Sequence, residues 1–97
     1  MYWKIYQINA DKDTGRVKFL GTDELESIGA TVNPEIYDCV FVGNLPETDL
    51  EEMFCRFNTV GHPEYIGHSM SVSDVLVNEN GAYFCDSIGF KKIEFNR

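Results

Sequence analysis

Six side chains that could act as nucleophiles, acids or bases lie in the C-terminal part of the sequence: His68, Ser69, Ser73, Asp74, Cys85 and Asp86. They fall on two segments joined by the turn-forming pair Asn80-Gly81, so a hydrolytic or cysteine-nucleophile site is one hypothesis. A nucleophile usually occupies a special turn beside its base, whereas Cys85 falls within a predicted strand, where a thiol is ordinarily a buried structural residue. We therefore predict no catalytic residues. We expect Ser71, Ser73 and Asp74 to form turns, bulges or local backbone hydrogen bonds.

The spacing of the histidines, cysteines and acids predicts no metal and no cofactor. His62, His68, Cys55 and Cys85 match none of the usual zinc-ligand pairs, and the acids form no DxDxDG calcium loop. The phosphate-binding motifs GxGxxG and GxxxxGK are absent. Three cysteines without a CxxC pair indicate a reducing compartment, and we expect all three, Cys39 included, to be small buried hydrophobic residues.

Length and composition predict one folded domain spanning residues 1–97. The chain is 43% hydrophobic and 13% aromatic, which is too apolar for a disordered segment. It contains neither an apolar run of about 18 residues nor a signal peptide, so we expect a cytoplasmic protein that does not enter a membrane. Sixteen acidic against eight basic residues give a formal charge of −8, which disfavours direct binding to nucleic acid and favours a partner with a basic surface.

The acidic residues are concentrated in a stretch without counter-charges. No Lys or Arg lies between Lys18 and Arg56, and this stretch contains nine acids. One explanation is solubility together with favourable helix dipoles, and the other is a negative surface that binds a nucleic-acid-handling protein. Under the second explanation, the expected partner-binding residues are Asp23, Glu24, Glu26, Glu47, Asp49, Glu51 and Glu52, with Tyr65 as a candidate aromatic anchor.

Hydrophobic patterning predicts an α+β fold, a small and mostly antiparallel sheet of about five to six strands with two short helices packed on it. Strands are predicted at 2–9, 16–20, 36–42, 69–77, 82–86 and 90–95, with the first two forming a hairpin and Asn80-Gly81 forming a type I′ turn. One helix is predicted at 23–28, capped by Thr22, anchored by Leu25 and Ile28 and ended by Gly29.

The second helix carries the strongest local pattern. A capping box is predicted from Thr48 to Glu51. Apolar residues recur at the helical spacing i, i+3, i+4 and i+7, namely Leu50, Met53, Phe54 and Phe57.

Two C-terminal segments, GHSMSVSDV at 67–75 and YFCDSIGF at 83–90, resemble the signature of YodL-like domains. The segments KIYQI at 4–8 and IYDCVF at 36–41 resemble the same family, so the likeness extends over nearly the whole chain. This resemblance implies a domain of Gram-positive bacteria that is often carried on conjugative elements and phages, near antirestriction modules. It implies no catalytic residues, and no functional residue transfers from it.

Charge and family resemblance together favour a mobile-element counter-defence protein. Such a protein would inhibit a host nuclease, either a CRISPR effector or a restriction enzyme, by mimicking DNA on the nuclease's basic surface. The alternative is a non-catalytic binding module that regulates another host protein, such as a cell-shape or replication factor, through a sheet edge or an aromatic patch. A small enzyme is a third hypothesis, and it requires Asp74, Asp86 or Cys85 to be indispensable for turnover.

Overall fold

The computed structural model describes all 97 residues and is built around a five-stranded antiparallel sheet with the order β2-β1-β3-β4-β5. This arrangement, with two helices, confirms the predicted α+β class. The longest helix has eight residues, and no helix could cross a membrane. The elements are β1 (Tyr2–Ile8), α1 (Thr22–Ser27), a 3₁₀ turn (Pro34–Ile36), β2 (Tyr37–Asn44), α2 (Leu50–Phe57), β3 (Val75–Asn78), β4 (Gly81–Cys85) and β5 (Phe90–Ile93).

Strand β1, an inner strand of the sheet, contributes to two hydrophobic cores. Trp3 and Ile5 belong to the core beneath α2, whereas Tyr6 and Ile8 belong to the core beneath α1. Successive strand residues point to opposite faces, so the two helices cover opposite faces of the sheet. The pairing of β1 with β2 shifts register between Ile5 and Tyr6. Both faces of β1 are therefore covered.

Helix α2 begins one residue later than its capping pattern predicts. The N-cap is Asp49, whose carboxylate accepts a hydrogen bond from the Glu52 backbone N–H at 2.8 Å. The Glu52 carboxylate in turn accepts from the Thr48 N–H at 3.4 Å, so the reciprocal pair is shifted from the predicted Thr48 and Glu51. Met53 and Phe57 are buried against the sheet, as the helical spacing indicates.

Helix α1 differs from the prediction at its start and in its anchors. Its N-cap is Gly21, and the Thr22 hydroxyl donates instead to the distant carboxylate of Asp86. Leu25 is buried as expected, but Ile28 is 57% exposed and does not anchor the helix. Gly29 has a φ of +71° and ends the helix as predicted.

The predicted strand at 16–20 is wrong, and its hairpin with β1 does not form. The Asp13 carboxylate accepts hydrogen bonds from the backbone N–H groups of Val17 and Lys18, both at 2.9 Å, which removes these donors from any sheet ladder. Arg16 and Phe19 adopt positive φ angles of 55° and 71°, which no extended strand allows. The neighbours of β1 are β2 and β3 instead.

The predicted strand at 69–77 is also too long, because β3 begins only at Val75. Ser73 has a φ of 83° and interrupts extended backbone. The following hairpin is confirmed, but Gly81 pairs with Asn78, so the loop is Glu79 and Asn80. Neither loop residue has a positive φ, and the predicted type I′ turn is therefore wrong.

The three cysteines occupy three different environments. All are free thiols, but only Cys85 is buried, while Cys39 is half-buried and Cys55 is exposed. The expectation of three buried thiols is wrong for Cys55, because this residue lies on the wet side of α2.

The core beneath α2 should dominate stability. We expect Met53→Ala to lower the free energy of unfolding by about 2–5 kcal/mol, because Met53 is fully buried and its loss leaves a cavity. The control Val60→Ala removes a side chain that is 79% exposed and should change it by no more than about 0.5 kcal/mol. Urea denaturation measures both, and equal effects would contradict the assignment of this core.

Candidate functional site

The family-like segment 67–75 forms the wall of a buried polar cluster. The buried polar side chains of the protein are Gln7, Ser73 and Asp74, and all three lie in this cluster. Asp74 directly precedes β3, and Gln7 lies near the end of β1. The central strands therefore place an amide and a carboxylate together inside the molecule, with the Gln7 Nε2 atom 3.0 Å from Asp74 Oδ2.

Gln7 holds the loop before Asp74 in the manner of a strand partner. Its Oε1 accepts from the His68 backbone N–H at 3.0 Å, and its Nε2 donates to the His68 carbonyl at 2.9 Å. The Tyr65 hydroxyl lies 2.8 Å from the same Nε2 atom. The two N–H groups of this amide are therefore shared among three acceptor oxygens, which belong to Tyr65, His68 and Asp74. Gly67 allows this close approach, because a Cβ there would collide with Gln7 Oε1 and lie 3.0 Å from a Val40 methyl.

Asp74 makes a local backbone hydrogen bond as predicted, whereas Ser73 binds a distant backbone group and the buried Ser71 hydroxyl has no partner. Asp74 Oδ2 accepts from the Ser71 N–H at 2.8 Å, and Ser73 Oγ accepts from the Phe19 N–H at 3.0 Å. The Tyr37 hydroxyl donates to the Ser73 carbonyl at 2.7 Å. Phe19 and Ser73, two of the three non-glycine residues with positive φ, are thus joined by one hydrogen bond.

Asp74 is a carboxyl group held in an apolar interior. Burial raises the pKa of Asp74 from 3.8 to about 6, against the opposing hydrogen bonds from Ser71 and Gln7 and the positive charges of His68 and Lys18. Its Oδ1 atom is buried without a hydrogen-bond partner. The side chain is fully buried, and its hydrogen bonds are those with the Gln7 amide and the Ser71 N–H.

The six side chains that could do chemistry do not form a nucleophile–base arrangement. Burial, followed by the nearby charges of Asp74 and Asp86, raises the pKa of the Cys85 thiol to about 12, the opposite of what an activated nucleophile requires. The His68 ring is exposed, and its Nδ1 lies 2.7 Å from the Ser69 carbonyl rather than beside a serine hydroxyl or a thiol. No group of three His, Cys, Asp or Glu side chains could hold a metal ion.

The predicted acidic surface is divided by the sheet. Because α1 and α2 cover opposite faces, their acids do not form one continuous helical face. Asp86, in the turn after β4, binds the start of α1, because its carboxylate accepts from the Thr22 N–H at 3.0 Å and also from the Ser87 N–H at 2.8 Å. Burial alone would raise the pKa of Asp86, but these hydrogen bonds and that of the Thr22 hydroxyl lower it.

Five of the eight predicted partner-binding residues have roles inside the fold. Glu47 forms an ion pair with Arg56 at 3.0 Å, and both side chains are about one-fifth exposed. Tyr65 is half-buried, and its ring packs on Phe57 with 4.7 Å between centroids. The other three accept backbone N–H groups at helix starts, namely Glu24, Asp49 and Glu52.

The remaining three predicted residues are Asp23, Glu26 and Glu51, which are exposed and form no ion pair. Their charge is directed at solvent, because no cation of the chain neutralises it. These three carboxylates are therefore the part of the predicted surface that is free to meet a partner.

Sequence reasoning passed over two residues that organise this region, Gln7 and Asp86. Gln7 is the only uncharged amide side chain within the apolar strand β1, and a polar residue in such a strand indicates a buried hydrogen-bonding role. Asp86 was considered only as part of a catalytic group. No pattern in the sequence connects it with Thr22, which lies 64 residues away.

Asp74→Asn should remove a pH-dependent loss of stability. The raised pKa means that the folded state keeps a proton that the unfolded state releases, so wild-type stability falls as the pH rises from about 4 to about 6. Two pH units at about 1.4 kcal/mol each predict that the free energy of unfolding of the variant, taken relative to that of wild type, rises by about 3 kcal/mol between about pH 4 and about pH 7.

Urea denaturation at intermediate pH values measures this difference, and other titrating groups cancel from it. The matched control is Asp23→Asn, which removes an exposed carboxylate and should give a much smaller change with pH. A difference between Asp74→Asn and wild type that is independent of pH would show that Asp74 is not a buried titrating group.

Comparison with known proteins gives one family. The YodL-like domain model matches residues 2–95, which include both helices, all five strands, the polar cluster and Asp86. No curated protein and no solved structure matches the chain. Since the family model covers nearly the entire sequence, the chain belongs to the YodL-like domain family.

Proposed function

We propose that this chain is a mobile-element counter-defence protein that binds and inhibits a host nuclease, a CRISPR effector or a restriction enzyme, by occupying its basic nucleic-acid surface. The observation that carries the proposal is the set of exposed, unneutralised carboxylates Asp23, Glu26 and Glu51. Asp23 and Glu26 lie on α1 and Glu51 lies near the start of α2, so these carboxylates are found on both sides of the sheet.

The balance of charges supports a basic protein partner. Only two ion pairs form, Lys12 with Asp38 and Arg56 with Glu47, although the chain contains sixteen acidic residues. The net charge of −8 therefore creates a field that attracts basic surfaces and repels nucleic acid. Duplex DNA presents about one charge per 1.7 Å of its axis, and a nuclease surface shaped for that density of charge would also attract clustered carboxylates.

The contacts of the reactive side chains support binding rather than turnover. Asp74 is enclosed by the fold, and Asp86 is engaged by three hydrogen-bond donors. The mobile-element setting implied by the family resemblance favours a nuclease over other basic proteins as the target. The neutral thiol of Cys85 gives no support to an enzyme.

Neutralising the three free carboxylates should weaken capture of the target. The variant Asp23→Asn/Glu26→Gln/Glu51→Gln removes charge without touching a cap or an ion pair, so its fold should be retained. The measurement is affinity capture from nuclease-treated lysate with mass spectrometry, at about 100 mM and about 500 mM salt, over which the Debye length falls from about 10 Å to about 4 Å.

Wild type should retain a nuclease at the lower salt concentration and lose it at the higher one, and the purified pair should show inhibited cleavage. The control Glu35→Gln/Glu64→Gln/Glu94→Gln changes net charge equally at other exposed sites and should inhibit as wild type does. Capture that resists salt and survives the first triple substitution would contradict mimicry of nucleic acid.

A second candidate function, regulation of another host protein by a non-catalytic binding module, is favoured by one apolar side chain. Ile88 lies in the β4–β5 turn and is 93% exposed, more than any other large hydrophobic residue. An aliphatic side chain that is so exposed can form an apolar contact with a partner.

Under this second function, Ile88→Ser should abolish capture of the partner while the acidic triple variant retains it. Ile88 is a cleaner probe than Tyr65, whose hydroxyl and ring are both engaged inside the fold. The same capture experiment measures both variants. Loss of binding in the acidic variant alone would exclude this candidate.

A further inference from the structure

A groove of about 220 Å³ lies between the start of α2 and the β4–β5 turn. Glu51 and Phe54 of α2 form one wall, and Asp86 with the following turn forms the other. Phe90 and Cys85 lie between these walls. None of the buried polar residues Gln7, Ser73 and Asp74 lines this groove.

The floor of the groove is aromatic and uncharged. The rings of Phe54 and Phe90 meet edge to face with 6.3 Å between centroids, and both are only partly buried. The Cys85 thiol is neutral because burial raises its pKa to about 12. Such a floor can pack against the flat face or the aliphatic stem of a long side chain.

The rim of the groove is negative, and no Lys or Arg lines it. Glu51 is exposed and forms no ion pair, so its carboxylate is available to a ligand. Asp86 already accepts from the Thr22 N–H, the Thr22 hydroxyl and the Ser87 N–H, which leaves about one of its four acceptor positions open. Glu51 is therefore the main acceptor of this groove.

We propose that this groove receives an arginine side chain of the partner protein, with the guanidinium on the Glu51 carboxylate and its flat face against one of the two rings, Phe54 or Phe90, which lie at 75° to each other. A guanidinium stacks on aromatic rings and binds a carboxylate through two parallel hydrogen bonds, whereas a lysine ammonium is compact and strongly hydrated. The exposed Ile88 in the same turn adds an apolar contact for a residue beside the arginine. This inference deepens the proposed function, since a nuclease surface that holds nucleic acid is rich in arginine.

The experiment is a titration of the ¹⁵N-labelled protein with N-acetyl-arginine methylamide, followed by amide chemical shifts. The neutral control probe is the citrulline analogue, which has nearly the same shape without the charge. At about 1–20 mM probe, where contacts of a single side chain are detected, the arginine probe should shift the amides of Glu51 and residues 86–90 in a saturable manner. Glu51→Gln should weaken this binding about fivefold, and Glu26→Gln should not change it.

Equal shifts from the citrulline analogue, or arginine-induced shifts spread evenly over α1 and α2, would overturn the inference. A lysine probe that binds more tightly than the arginine probe would also overturn it. Since the titration needs no partner, its failure leaves the salt-dependent capture of a nuclease as an independent test of the proposed function. Conversely, a filled groove with salt-resistant capture would leave the inference standing and reject nucleic-acid mimicry.

Discussion

The side-chain amide of Gln7 forms the hydrogen bonds with the loop before Asp74 that a neighbouring strand would otherwise form. The loop before Asp74 runs beside the core without regular pairing. Its His68 N–H donates to the Gln7 amide, and its His68 carbonyl accepts from the same amide and from the Tyr65 hydroxyl. The same amide donates to the buried carboxylate, which would otherwise keep only the Ser71 N–H. Buried polar groups are costly without hydrogen-bond partners. The loop, the Asp74 carboxyl group and the first residues of β3 therefore depend on the Gln7 amide in β1.

In this arrangement the residues that could do chemistry form hydrogen bonds within the fold, and the exposed carboxylates lie elsewhere. The serines and Asp74 support backbone, while unneutralised charge is carried by short helices on opposite faces of the sheet. Under the proposed function, a partner that binds the acids of both helices would have to contact both faces of the sheet.

Much of the fold follows from local patterns, and the two strand segments that were wrongly predicted share one physical cause. Apolar alternation in β1 and the helical spacing of Leu50, Met53 and Phe57 predict those elements correctly. Residues 16–20 and 69–74 alternate in the same way, yet side chains of Asp13 and Asp74 take their backbone N–H groups. The spacing of apolar residues indicates which face of a segment is apolar, but it does not show which side chains bind the backbone N–H groups. It also cannot report that α1 and α2 lie on opposite faces, which divides the candidate acidic surface.

The position of Asp86 has a consequence for communication across the sheet. Both of its carboxylate oxygens accept hydrogen bonds from Thr22, the first residue of α1, and Asp86 also lines the groove beside α2. A guest in the proposed arginine site that also forms a hydrogen bond with Asp86 would share this carboxylate with the Thr22 hydroxyl. Occupancy of the groove and docking of α1 would then be thermodynamically linked, and by reciprocity a change that loosens α1 would alter the affinity of the groove.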